Sequence, residues 1–194
     1  MLGRTQFAAV DTSVLILVAA MVIVAIIAVW LFSGDSTRAV RPPGGAASDL
    51  QRVKVRHVID GDTVVVSTFW SETRVRLYAI DCPEDGQPWG NIARAGLIKL
   101  IGGRFVHIET HGLDLHGRTL ATIYVQQNHE SEWTNVNERM VMIGHAWVMR
   151  KYYGDLPQSR QHQLNRLEGW AKSKRVGLWK TSNPVPPWRW RNER

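Results

Sequence analysis

Nineteen consecutive residues, Val14 to Phe32, read VLILVAAMVIVAIIAVWLF and contain neither a charge nor a proline. A helix packed on a soluble core normally keeps a polar stripe, so a run that is apolar on every face has few places to go. As a helix it would extend roughly 28 Å, close to the hydrocarbon thickness of a bilayer. A cleaved signal peptide is the rival reading. Its apolar segment is usually about 7–15 residues long and follows a basic segment, whereas only Arg4 precedes this longer run. The expectation is therefore an uncleaved N-terminal membrane anchor over residues 1–33, a single transmembrane helix at about 14–32. Residues 34–49, GDSTRAVRPPGGAASD, have the Pro, Gly, Ser and Ala content of a flexible linker. Arg4 stands on one side of the run and Arg38 and Arg41 on the other, a count that leans toward a cytoplasmic C-terminal part.

The rest divides into a working domain, residues 50–183, and a Pro/Trp/Arg-rich tail, residues 184–194. One cysteine, Cys82, excludes an intrachain disulfide framework and a Cys-rich zinc site. The chain carries 24 Lys and Arg against 17 Asp and Glu, net +7. Among specific partners such a balance favours nucleic acid. Polar and apolar residues alternate over Arg52–Arg56 and again over Arg74–Ala79, as in half-buried strands. Thr63–Val66, Phe105–Glu109 and Leu120–Val125 read as further strands. Between them, Ala93, Leu97, Leu100 and Ile101 form a helical stripe that Gly102-Gly103 ends. Asp114-Leu115-His116-Gly117-Arg118 reads as a hairpin turn. Val136, Met140, Ile143 and Trp147 fit a second helical stripe; Leu164, Leu167, Trp170 and Ala171 fit a third, starting at Pro157. The expected class is α+β: a five-stranded OB-type β-barrel with about three packed α-helices, a plan that often holds nucleic acid or sugar.

Four acidic side chains fall close together, Asp60 and Asp62 in the first turn and Asp81 and Glu84 after the strand that holds Arg76. Asp and Gly belong in turns for backbone reasons alone. The combination says more: carboxylates suit a hard cation, and the arginines Arg76 and Arg118 suit an anion. Together they are the parts that phosphoryl chemistry requires.

Ile59-Asp60-Gly61-Asp62-Thr63, Val75-Arg76-Leu77, Ile80-Asp81-Cys82-Pro83-Glu84 and Asp114-Leu115-His116-Gly117-Arg118 occur in that order. In that order and at that spacing they resemble the staphylococcal-nuclease-like (thermonuclease) family. Gln87-Pro88-Trp89-Gly90, Gly177-Leu178-Trp179 and Pro184 to Trp190 are similar to its bacterial branch. The resemblance covers roughly residues 52 to 190. It implies an OB-fold barrel and a Ca²⁺-dependent phosphodiesterase (nuclease) acting on DNA and RNA with little sequence specificity. It implies Asp62 and Asp81 as carboxylate ligands of Ca²⁺, with the backbone carbonyl of Cys82. Glu84 would orient or deprotonate the attacking water, Arg76 and Arg118 would bind the phosphate, and Asp60 would stand behind the ligands. The best-known member has Thr where this chain has Cys82, an exchange that a main-chain ligand tolerates.

His107, His111 and His116 invite a zinc reading, but they span a strand and a turn without a further ligand motif. The eight tryptophans beyond the anchor are read mainly as packing aromatics. Those of the tail are expected to pack on the barrel. The alternative to a nuclease is a catalytically silent OB-fold nucleic-acid-binding module on the same anchor; no protein partner is evident. Extracellular Ca²⁺ is far more abundant than cytosolic. A broad cytosolic nuclease would also threaten the cell's own nucleic acid. These considerations outweigh the arginine count, so the expected location is the bacterial plasma membrane with the nuclease domain extracytoplasmic.

Overall fold

The structure, a computed structural model, describes residues 50–68, 71–126 and 133–193. Two units divide the chain, Met1–Arg38 and Ala39–Arg194, and every described residue belongs to the second. The expected span at 14–32 and most of the linker lie outside the described residues. Among the described residues, no helix is long and apolar enough to cross a membrane.

Strand β1 (Gln51–Val58) pairs antiparallel with β2 (Thr63–Ser67), and β2 with β3 (Glu72–Leu77). Alternation puts Val53 and Val55 inside. A register shift between Val55 and His57 then changes the phase, so that Val58 is buried and His57 is exposed. After the short β4 (Ile80–Asp81), helix α1 (Gly90–Ile101) buries Ala93, Leu97 and Ile101 at helical spacing. Strand β5 (Phe105–Leu113) returns along β1, and β6 (Thr119–Gln126) pairs with β5. The hairpin between them turns at Gly117, whose φ of 73° favours a residue without Cβ. Parallel pairing of β3 with β6 closes these five strands into a barrel. Strand β7 (Trp133–Asn135) extends the sheet beyond β6. Helix α2 (Val136–Met142), strand β8 (Trp147–Val148, paired with β4), helix α3 (Gln158–Ser173) and the short tail helix α4 (Pro187–Asn192) follow.

The core is mainly valine, isoleucine and leucine on the inner strand faces, with Ala93, Leu97 and Ile101 from α1 and Val136, Met140 and Val141 from α2. Buried Asn137 joins α2 to the barrel. Its amide donates to the carbonyls of Tyr78 (2.9 Å) and Ala121 (3.1 Å), and its oxygen accepts from Ile123 N–H (3.0 Å). Every polar atom of that side chain is thus paired inside the core.

Three local expectations differ from the structure. Strand β3 ends at Leu77, and Tyr78 is buried instead of sharing the outer face with Arg74 and Arg76. Here the chain leaves the sheet: Tyr78 N–H donates to Ala121 O (2.8 Å), and Ala79 takes a φ of 65°. Trp147 belongs to β8, not to a helical stripe, because α2 stops at Met142. On α3 the buried residues are Arg160, Leu164, Glu168 and Ala171, while Trp170 is 44% exposed. Apolar periodicity misplaced that face because two of its inward residues are charged.

Candidate active site

The site begins in the turn between β1 and β2. Asp60 closes it by accepting Asp62 N–H on Oδ1 at 2.9 Å. A Cβ on Gly61 would lie 2.6 Å from Cys82 Cβ and 2.9 Å from Ala93 Cβ. Glycine therefore lets this turn lie directly on the Asp81-Cys82 segment and on α1. The β2–β3 register sets Thr63 opposite Arg76, which brings Asp62 beside Leu77, whose N–H donates to Asp62 O at 2.8 Å. One arginine then bridges two buried acids. Arg76 Nη1 donates to Asp62 Oδ1, and Nη2 donates to Asp81 Oδ1 at 2.5 Å. The second oxygen of Asp62 accepts Cys82 N–H at 2.7 Å.

Negative charge is in excess at this corner. Burial pushes the Asp62 carboxyl up to about 7; Arg76 opposes the rise, while Asp60 and Asp81 add to it. Burial works against the charge of Arg76, yet Asp62 and Asp81 hold its guanidinium above the ordinary arginine range. Burial and the same three acids push the Cys82 thiol well up. Cys82 is 3% exposed and donates to Gly61 O at 3.1 Å, so it acts as a small neutral filler under the turn.

Outside the bridge lies a cavity of about 1030 Å³ whose wall includes Asp60, Arg76, Glu84, Arg118 and Arg191. Barrel closure brings Arg118 there. Thr119 pairs with Val75 and Leu120 with Arg76, so the residue just before β6 arrives beside β3. Asp114 orients Arg118 by accepting its Nε–H at 2.6 Å and its backbone N–H at 2.9 Å. Further along the wall, Tyr78 and His111 stack with ring centroids 4.6 Å apart. A trough that sets carboxylates beside arginine forks has the chemistry to hold a phosphate.

The model of the staphylococcal nuclease homologue family matches residues 74–181. The chain belongs to this family. It is 39% identical over 145 residues to Protein ParB of Escherichia coli, covering 73% of this chain and 80% of that protein. Identity to a micrococcal nuclease of Shigella flexneri is 37% over 143 residues, covering 72% and 80% of the two chains. An uncharacterized endonuclease of Haemophilus influenzae is 35% identical over 141 residues, 72% of each chain. The protein is a nuclease, a hydrolase of phosphodiester bonds, and nucleic acid is its substrate.

Each residue expected at the nuclease site can now be located. Asp62 and Asp81 are joined through Arg76, the Cys82 peptide lies on Asp62, and Asp60 holds the turn. Glu84 and Arg118 line the same cavity as Arg76. Among the described residues, no group of three or more His, Cys, Asp and Glu side chains is placed to hold a metal ion. The two carboxylates that Arg76 bridges, Asp62 and Asp81, offer oxygen only. An all-oxygen pair with surplus negative charge fits a hard cation that completes its shell with backbone oxygen and water. Of the three histidines, His107 meets the Trp133 ring edge-on at 4.7 Å, His111 lies 2.9 Å through Nε2 from Thr122 Oγ1, and His111 and His116 both stand on the cavity wall.

Sequence reasoning missed two contributors. Gln87 accepts Glu84 N–H on Oε1 (2.9 Å) and donates through Nε2 to Val185 O (2.7 Å), tying the corner to the tail. Arg191, in α4, donates to Asp81 Oδ2 at 3.0 Å and to Glu84 Oε1. The signal for both was present, in the Gln-Pro-Trp-Gly segment and in the aromatic–basic alternation of the tail. A pairing 110 residues apart in the chain leaves no local pattern.

Proposed function

We propose that the nuclease is a Ca²⁺-dependent phosphodiesterase acting on DNA and RNA with little sequence specificity, tethered to the bacterial plasma membrane through residues 14–32 with its domain extracytoplasmic. The single observation that supports this reading best is that four acids, Asp60, Asp62, Asp81 and Glu84, gather at one trough and outnumber the two arginines bound among them, Arg76 and Arg191, with Arg118 on the same wall. Asp62, Asp81 and the Cys82 carbonyl would hold the cation. When bound, it supplies electrostatic polarisation of the phosphodiester and charge compensation at the buried pair.

Hydrolysis adds negative charge to an already anionic phosphorus centre. Arg118 presents a planar fork to that charge, which suits phosphate oxygens better than a lysine would, and Arg76, whose Nη groups hold Asp62 and Asp81, adds its positive charge from the same wall. Glu84 takes a proton from the attacking water onto its carboxylate. Asp60 keeps the turn that carries Asp62 closed.

Plasmid DNA and total RNA incubated with the full chain, with and without excess EGTA, test the reading. The expected result is degradation of both that EGTA stops and added Ca²⁺ restores. Retardation in a gel without degradation would instead mark a silent binding module. Protease treatment of intact cells and spheroplasts tests the topology: the domain should be digested without lysis.

A further inference from the structure

The tail is not a loose end. Pro187 is buried, the Trp188 ring meets Trp147 at 6.4 Å between centroids, and Gln87 holds Val185. These contacts deliver one side chain, Arg191, to the site. Its Nη2 donates to Asp81 Oδ2 at 3.0 Å, and its Nη1 reaches Asp81 Oδ1 at 3.4 Å and Glu84 Oε1. Arg76 already takes the other side of Asp81. Both oxygens of Asp81 and one of Glu84 are therefore bound by guanidinium. These are the oxygens that the proposed function requires for a cation and for the attacking water.

We infer that Arg191 is a positioning residue that competes with the divalent cation: its guanidinium occupies Asp81 and Glu84 in the free enzyme and leaves them when the cation binds. The inference rests on the Ca²⁺ reading proposed above. Two cations cannot share one carboxylate oxygen without mutual repulsion, so each weakens the other's binding, and the coupling is reciprocal. The geometry also allows release. Arg191 is 42% exposed, and its flexible stem can withdraw into the cavity while Trp188 and Val185 remain docked. Arg76, at 17% exposure and bridging two acids, has no such freedom. The two arginines thus divide the work: Arg76 keeps the acids together permanently, and Arg191 keeps them quiet until the cation arrives.

Calorimetric titration of Ca²⁺ alone into the metal-free full chain, in the detergent that solubilises it, tests this without any turnover. Arg191→Gln should bind Ca²⁺ about 10-fold more tightly than wild type, within the usual range for coupled ligands. Arg191→Lys keeps the charge and should stay within about twofold of wild type. Trp188→Ala loosens the tail but keeps the guanidinium, and should tighten Ca²⁺ binding by a smaller factor. Unchanged Ca²⁺ affinity in Arg191→Gln, whether with a raised KM for DNA or with a lowered Tm, overturns the inference: Arg191 is then a substrate ligand or a structural contact. If Arg191→Gln does not fold, unchanged affinity in Trp188→Ala overturns it equally. No binding heat in wild type or variants removes the Ca²⁺ reading itself, and the competition with it.

Discussion

Two buried acidic clusters in this domain have opposite charge balance. Glu168, on α3, is almost fully buried. It accepts Val148 N–H at 2.9 Å, Arg150 Nη2 at 2.7 Å and Lys172 Nζ at 2.9 Å. Burial alone would raise its carboxyl, but these hydrogen bonds and charges hold it below the ordinary value. Asp62 and Asp81 share Arg76, Arg191 rests on Asp81 and Glu84, and Asp60 lies close by, so four acids face two arginines and burial lifts Asp62 to about 7. One cluster is more than compensated and pins α3 to β8. The other is left short of positive charge and opens on a cavity. Strongly shifted acids mark working sites when no permanent partner explains the shift; fully paired ones mark packing.

That contrast can be broken by mutation. The largest effect is expected for Arg76→Ala. It removes a positive charge from the phosphate site and takes from Asp62 its guanidinium partner, leaving Asp81 to Arg191 alone, so kcat should fall about 10²-fold or more and Tm should drop as well. Steady-state rates alongside a thermal melt separate the two losses; wild-type turnover would assign Arg76 to structure alone. Glu84→Ala and Arg118→Ala should each lower kcat by about 10²-fold with little change in Tm, because both side chains lie on the cavity wall.

Glu168→Gln should do the reverse, costing about 2 kcal/mol of stability at neutral pH while kcat stays near wild type. The carboxyl of Glu168 is depressed in the folded state, so its contribution is complete above its ordinary value of 4.5 and is lost as the pH falls through its folded value. Urea unfolding from pH 7 to pH 3 should therefore show the gap between wild type and Glu168→Gln narrowing in acid; a constant gap would mean that the charge contributes nothing. Trp170→Ala, on the exposed side of α3, should change stability by less than about 0.5 kcal/mol. A larger loss in the same unfolding assay would show that the ring covers apolar surface.

Much of this site is readable because its parts are local. Asp60, Gly61 and Asp62 form one turn, and Asp81, Cys82, Pro83 and Glu84 form one corner, so each motif survives as a short string. Strand alternation likewise marks Val53, Val55, Val64, Val66 and Val75 as core. The errors arise where a non-local contact overrides a local pattern. Trp147 completes an apolar stripe on paper, but pairing with Asp81 makes it a strand residue. Arg160 and Glu168 look like the solvated side of a helix. In the fold, Arg160 reaches Glu109 (2.8 Å) and Thr122 (2.9 Å), and Glu168 reaches Val148, so that face turns inward.

By itself the amino-acid sequence determined the strand and helix periods, the tight turn at Gly61, the acidic and arginine motifs, and the family to which they belong. Each of these depends on residues within a turn or two of one another. Only the tertiary structure decided that closure of β3 on β6 sets Arg118 beside Arg76, that Asp62 loses its solvent and shifts, and that Arg191 comes from the tail to rest on Asp81 and Glu84. Burial and the pairing of distant charges depend on which surfaces meet, and chain order alone does not specify that.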